Sequence, residues 1–550
     1  MFISYKIKLS AFSLLFLIAT NASALTPVDG APDLSLYIPG SQANDPAFGF
    51  LINNTAVANA LCLDDATTTG ASTRTHIYFH TSGASSAAVN DNYSAIYCLT
   101  DNTKIPGLTS GTGATHQTKL WISRRRLGAS FVGLDAAANG TLLTYLKDPS
   151  TAVCTANNGS YSSGGATYQW NYSCTTVTSG IAATAATSDV TPDVFHGSDN
   201  VAAGFSNILA AKLTNKHVIA GHIIGTPVTL VLRNALQYAE SLSGLLPSTC
   251  VPGDETATCV PSLTKEQLVS IFTGTISDWS QFYVGIPNNA TPPVTIPTAL
   301  TDVVAAGVSA GIAGLANPRD SQVHVCRREN GAGQQVALLA DILQYPCLGG
   351  SAPRIAQPGG FSDVNYATSL GAVDNCLGDF NNTPTTNKWF GTTNPSPYPA
   401  PPATTVAHGN QWAISIQSTE RNASRAANYR FIKINGALPT GEQVFLGHYP
   451  LVGEYGISWK GGSTDINAAL NALVAYSKLP STVAARNGDL SNHSWGQAGY
   501  IALSANGYTP PLTWDKTNPV TPYIRATSTG APDACTVPVV NSNFGSVELR

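Results

Sequence analysis

Residues 324–335 read HVCRRENGAGQQ. Two arginines, an acid and an amide lead into a Gly-Ala-Gly turn, and an apolar run follows from Val336. A guanidinium is a planar fork that grips a carboxylate or a tetrahedral oxyanion through paired hydrogen bonds. A glycine turn lets backbone N–H groups aim at the same ligand, and a helix N-terminus favours negative charge. The chemistry on offer is capture of an anion. A second stretch, Gly307-Val308-Ser309-Ala310-Gly311, matches G-x-S-x-G, the nucleophile elbow of hydrolases. That elbow needs a strand before it and a helix after it. The surrounding DVVAAGVSAGIAGLA is compatible with either element, and no Asp or His stands in a marked triad context. There is no HExxH, no P-loop, no paired-carboxylate signature and no site for a redox cofactor. The expectation is a non-enzyme that needs no cofactor.

Anion capture requires elements that bring N–H groups together. Leu34–Ile38 (LSLYI) is β-prone and ends at Pro39-Gly40, with Ser41-Gln42-Ala43 reading as a helix start. Thr118–Ser123 (TKLWIS) is a second strand, and Gly128-Ala129-Ser130 opens a helical stretch to Asn139-Gly140. Asp193–Phe195 reads as a short strand before HGSDN, which contains Asp199. Ala220–Leu232 is the most apolar β-branched run and reads as buried strand. Thr264 and Gln267 form a capping box for a helix with Leu268, Ile271 and Phe272 on one face, stopped by Gly274. Val323–Cys326 predicts a strand into the arginine turn, and Val336, Leu339, Ala340 and Leu343 one face of the helix after it. Tyr429–Ile434 and Tyr455–Trp459 are further strands. Residues 150–190 read as an inserted loop or hairpin, and 380–405 as an exposed, partly extended loop. Strands alternating with helices imply α/β units, whose ligands sit where strands end and helices begin. Gly40-Ser41, Gly128-Ala129-Ser130 and Gly331-Ala332-Gly333 are three such junctions.

The chain has 550 residues, enough for two or three domains. Residues 1–24 have the pattern of a secretory signal peptide: Lys6 and Lys8, the apolar run Leu9–Thr20, then Ala22-Ser23-Ala24. Cleavage is expected after Ala24, and export to the periplasm or beyond follows. No second long apolar stretch predicts a membrane span. The formal charge of −4 becomes −6 without the two signal lysines (28 − 2 − 32), too mild to suggest nucleic acid as a partner. Ten cysteines in an exported chain predict up to five disulfides. Cys250–Cys259, Cys154–Cys174 and Cys62–Cys98 are the local pairs; Cys326, Cys347, Cys376 and Cys535 cannot be paired from sequence.

In order, LYIPGSQA, LGASFVGL, VFHGSDN, LTKEQLVSIFTGTISDW, RRENGAGQQ and RFIKINGALPT with GHYPLVGEYG resemble the landmarks of the phosphate-binding solute receptors of bacterial ABC importers, in the type II periplasmic binding protein superfamily. The resemblance implies two α/β lobes joined by a two-strand hinge, with disulfide-bearing inserts here. Residues 25–225 would begin lobe 1, 226–450 form lobe 2, and 451–550 return to lobe 1. The strand near 226–234 would be the first crossing and the stretch near 449–457 the return. The implied ligand is phosphate or a related anion, and an ABC permease the implied partner. Ser41 and Ser130 would sit at helix N-termini, Asp199 would accept a proton from the ligand, and Arg328 would pair with it. Asn330, Gly331 and Gly333 would form the turn. The family's motif is Arg-x-Asp-Gly-Ser-Gly-Thr, so Asn330, Ala332 and Gln334 depart from it, removing a charge and two hydroxyls.

Plainer readings stand beside these. Arg328 could cap a helix or pair with Glu329 or Asp341, Arg327 would point to the opposite face of its strand, Asp199 could be a turn residue, His196 a packed or solvated histidine, and Ser41 and Ser130 simple caps. Arg124, Arg125 and Arg126 read as a solvated edge unless one reaches the cleft. The rival function is a surface or extracellular protein that keeps the fold for adhesion or assembly, without phosphate transport.

Overall fold

The computed structural model describes residues 25–41, 61–62, 76–81, 89–111, 117–163, 166–177, 179–288, 290–382, 409–525 and 533–541. The signal segment, the helix expected from Gln42 onward and most of the 380–405 loop lie outside the described residues.

Two mixed sheets carry the chain. The first is built from β1 (Leu34–Pro39), β2 (His76–Thr81), β3 (Val89–Leu99), β4 (Lys119–Arg125), β5 (Cys154–Ser163) and β6 (Ala166–Cys174), in the order β1-β4-β3-β2-β6-β5. β1 and β4 run parallel, with Leu36 opposite Ile122. Residues 154–174 are thus a hairpin that joins the sheet. A parallel bridge between Gly40 and Thr187 links β1 to β7 (Ala186–Ser188).

The second sheet is organised by β8, which runs fifteen residues from Asn215 to Thr229 and is buried from Ile219 onward. After β8 come β9 (Ser262–Leu263), the hairpin β10 (Tyr283–Pro287) and β11 (Thr295–Ala299), then β12 (His324–Arg328), β13 (Asp363–Ala367), β14 (Ala413–Ser415), β15 (Gln417–Ser418), β16 (Tyr429–Ile434) and β17 (Val452–Trp459). β17 lies antiparallel along Asn215–Ile223 of β8, while β14, β15 and β16 pair with Ile224–Thr229. One strand therefore belongs to two α/β halves, and β17 returns beside it. Both halves mix strands and helices, as the sequence predicts.

Nine helices occur among the described residues: α1 (Ala129–Asn139), α2 (Leu230–Ser243), α3 (Lys265–Phe272), α4 (Leu300–Ser309), α5 (Gly333–Asp341), α6 (Leu370–Asn381), α7 (Gly441–Phe445), α8 (Thr464–Ser477) and α9 (Pro480–Leu490). The Thr264 capping box forms as read: Thr264 N–H donates to Gln267 Oε1 at 2.8 Å, and Gln267 N–H donates to Thr264 Oγ1 at 3.2 Å. No helix among the described residues is long and apolar enough to cross a membrane.

Two expectations are corrected. The apolar run around 220–232 is strand only to Thr229; α2 begins at Leu230 because Leu232, Ala235, Leu236 and Ala239 recur at helical spacing and are all buried. The region near Asp193–Phe195 is a 3-10 turn, Pro192–Val194, since Pro192 has no N–H for a ladder. Gly307–Gly311 lies at the end of α4 rather than between a strand and a helix: Ser309 is the last residue of α4, and its hydroxyl donates to Ala305 O at 2.8 Å.

All ten cysteines pair: Cys62–Cys98, Cys154–Cys174, Cys250–Cys259, Cys326–Cys376 and Cys347–Cys535. The last bridge closes a separation of 188 residues.

His324 is a buried charge site at the start of β12. Its Nδ1 lies 2.7 Å from Asp363 Oδ2 and its Nε2 3.1 Å from Asp320 Oδ1, with the ring stacked on Phe380. Burial opposes protonation, but the two carboxylates outweigh it and push the imidazole up to about 9, from 6.5. The folded state holds this proton more tightly than the unfolded chain. The contribution is therefore complete below about pH 6.5 and is lost as pH rises through about 9. We expect stability to fall by about 2 kcal/mol over that window, allowing for the exposed Asp320. Denaturation of wild type and His324→Gln at both ends checks this, and an equal pH slope in the two would contradict it.

Candidate anion-binding site

The strand ends of both halves converge on Asp189, the residue directly after β7. Its side chain is 4% exposed. Ser41 Oγ donates to Asp189 Oδ1 at 2.6 Å. Ser130 Oγ reaches Oδ2 at 3.4 Å and also accepts from the Asp189 N–H. Ser41 follows β1, and Ser130 lies in the first turn of α1, behind Gly128 in the left-handed region. The helix N-terminus adds partial positive charge beside the carboxylate.

The arginine turn closes from the other half. β12 ends at Arg328, Gly331 takes φ +81°, and α5 begins at Gly333. The Phe131 N–H of α1 donates to Gly331 O at 3.1 Å, joining the two halves. A Cβ on Gly333 would fall 2.4 Å from Ser130 Oγ and 2.6 Å from Asp189 Oδ2, so a side chain there would strike both.

Three arginines have different jobs. Arg328 is buried and its Nε donates to Ala367 O at 3.0 Å. Burial lowers its pKa, and the nearby charges of Glu329 and Asp189 raise it. Arg327 turns to the other side of the strand, onto Gln357, the Ala356 carbonyl and the Tyr366 ring. Arg124, read as part of a solvated edge, is buried: it donates to Ile38 O at 2.5 Å and Ser41 O at 3.1 Å, and so braces the turn that carries Ser41.

A buried polar chain extends from Asp189. His222 Nδ1 stands 3.7 Å from Asp189 Oδ1, and its Nε2 lies 2.8 Å from Ser418 Oγ. Ser418 Oγ donates to Glu420 Oε2 at 2.7 Å, so it accepts from Nε2–H and leaves Nδ1 as an acceptor. Burial, then Arg486, hold His222 down at about 3, a neutral ring. Arg486 lies over the Tyr500 ring at 3.3 Å and 3.8 Å from Glu420. His222 Nδ1, both polar atoms of Gln334 and Gln335, and Tyr455 Oη are buried without a hydrogen-bond partner in the protein. Each such group costs roughly 1–3 kcal/mol until a partner meets it.

Of the sequence-predicted residues, Ser41, Ser130 and Gly333 meet at Asp189, Gly331 bonds across to α1, and Arg328 lies within the field of Asp189. Asp199 and Asn330 go elsewhere. Asp199 accepts from Arg354 Nε at 2.5 Å and from Gln357 Nε2 at 2.9 Å. Asn330 accepts from Arg327 at 2.6 Å and donates to Ser198 O at 3.0 Å. They form a second cluster that ties segment 198–199 to the other half. The buried position of Asp189 was not read from the sequence, because the three-residue strand ATS before it sits inside a small-residue stretch read wholly as insert. The signal was the dipeptide Ser188-Asp189 after a β-compatible Ala-Thr.

No protein-family model matches the chain, and no curated protein matches it. Solved structures do align with it. One is a putative phosphate ABC transporter substrate-binding protein with bound phosphate from Clostridium perfringens, at 11% identity and TM-score 0.34, covering 82% of this chain and 97% of that one. Another is PstS from Borrelia burgdorferi, at 10% and 0.29, covering 82% and 96%. A third is an ABC-type phosphate transport receptor from Vibrio cholerae, at 11% and 0.30, covering 81% and 93%.

Gly333→Ala tests the close approach of α5 to Asp189. We expect a loss of about 1–3 kcal/mol in chemical denaturation. An unchanged midpoint would contradict the packing described.

Proposed function

We propose that the chain is an exported solute-binding protein that captures phosphate or a related tetrahedral oxyanion between two lobes. The observation that carries this is the meeting of Ser41, Ser130, Gly333 and the Arg328 field at one buried carboxylate, Asp189. Lobe 1 would comprise residues 25–225 and 451–550, and lobe 2 residues 226–450, with β8 and β17 crossing between them. Arg328 supplies the cation, and Ser41, Ser130 and the first turns of α1 and α5 supply donors.

Asp189, rather than Asp199, then takes the acceptor role. A carboxylate cannot donate, so it selects an anion that still carries a proton. The bare Nδ1 of His222 is a second acceptor facing the same way. Phosphate keeps a proton near neutral pH; sulfate does not. The contacts of Asp199 and Asn330 with Arg354 and Arg327 would hold the lobes closed beside the ligand. Delivery to an ABC permease, and residence in the periplasm or outside the cell, are parts of the same proposal. Cleavage after Ala24 belongs to it too.

The test is calorimetric phosphate binding to mature chain stripped of ligand with its disulfides intact. We expect saturable binding, lost by at least about 100-fold in Arg328→Ala. Asp189→Asn should lose phosphate preference and admit sulfate, whereas Asp199→Asn should keep the preference. Absence of phosphate binding by folded protein would sink the reading and leave the adhesion rival.

A further inference from the structure

A cavity of about 440 Å³ lies away from the cleft, between the end of α5, the turn after α7, β17 and residues 534–538. None of Ser41, Ser130, Asp189, Arg328 or Gly333 lines it. Much of its wall is apolar, including Leu348, Val444, Val452, Ile501 and Leu503. Two carboxylates, Asp341 and Glu454, are set into that wall, 4% and 6% exposed.

One arginine meets both, by its guanidinium and its backbone. Arg525 Nη1 lies 2.7 Å from Asp341 Oδ1, whose partner oxygen accepts from the Val452 N–H at 3.1 Å. Glu454 Oε1 receives the Arg525 backbone N–H at 3.3 Å. The charge of Arg525 is thus engaged chiefly by Asp341, and Asp533 adds negative field at Glu454. Lys265 lines the cavity as the other cation and contributes its field to Asp341. Burial pushes Asp341 up to about 6 and Glu454 up to about 7, against the opposing charge of Arg525.

We propose that this cavity is a second ligand site, for a small organic cation whose ammonium group docks at Glu454 and whose hydrocarbon tail lies along Leu348, Val444 and Ile501. The volume suits it: small-molecule sites run to roughly 300–1,000 Å³, with apolar walls and a few convergent polar groups. An ammonium supplies the countercharge that a buried carboxylate needs. The tail covers apolar wall that otherwise faces water. The Cys347–Cys535 bridge contributes both its residues to the lining and holds the C-terminal segment in place as one wall.

Calorimetric titration of the mature chain with hexylamine, hexanol and hexanoate, at mildly alkaline pH, tests the site. We expect hexylamine to bind at least about tenfold more tightly than hexanol, with hexanoate weakest. Glu454→Gln should abolish the preference for the amine. Leu348 is half exposed, so Leu348→Trp is a tolerated way to fill the cavity and should remove binding of all three. Arg328→Ala should change nothing here, which separates this site from the anion cleft. Equal affinity for amine and alcohol in the wild type overturns the charge assignment. Undiminished amine binding in Leu348→Trp overturns the location, even if Glu454→Gln does not fold. No hexylamine binding at millimolar concentration overturns the proposal.

Discussion

A carboxylate cannot be buried without donors or countercharge, and Asp189 is buried. Much of the architecture around it follows from that requirement. Ser41 arrives from the end of β1, Ser130 from the start of α1, and the field of Arg328 from the end of β12. Backbone must come close as well, which is why glycine stands where it does. A Cβ on Gly453, in β17, would lie 2.4 Å from Asp189 O, as a Cβ on Gly333 would strike its carboxylate. Four segments far apart in sequence therefore share one contact point.

The strand pairing makes that meeting possible. β8 spans both halves, so the ends of β1, β4 and β7 on one side and β12 on the other face a common line. Helix N-termini sit at those ends, which concentrates N–H donors and positive potential in one place. Arg124 and Thr187 brace the Ser41 turn from behind. A fold of this kind separates the work. The strands position the side chains of each half, and the Phe131 N–H bond to Gly331 O joins the two halves beside Asp189.

Legibility in the sequence followed the strength of local signals. The Thr264–Gln267 capping box and the Gly128-Ala129-Ser130 helix start were readable because side-chain chemistry near one residue decides them. β12 and α5 were readable because an apolar strand gives way to glycine and then to helical spacing. Three local disulfides were readable from short separations, while Cys326–Cys376 and Cys347–Cys535 depend on tertiary packing. The α2 start was missed because Val228–Leu232 is β-branched and apolar in either conformation. Asp189 was not legible because the strand before it, Ala186–Ser188, is three small residues long, inside a stretch read as insert. That strand is held by pairing with β17 and by the bridge from Thr187 to Gly40.

The central claim is that an oxyanion is held at Asp189, between the Ser41 and Ser130 turns and the start of α5. A crystal of the mature chain grown with arsenate, with anomalous scattering recorded at the arsenic edge, tests it most directly. The account predicts one strong peak within hydrogen-bonding distance of Ser41 Oγ, Ser130 Oγ and the Asp189 carboxyl, with Arg328 turned toward it. A peak only at the Asp199–Arg354 cluster, or none in the cleft of a crystal that holds arsenate elsewhere, would contradict it.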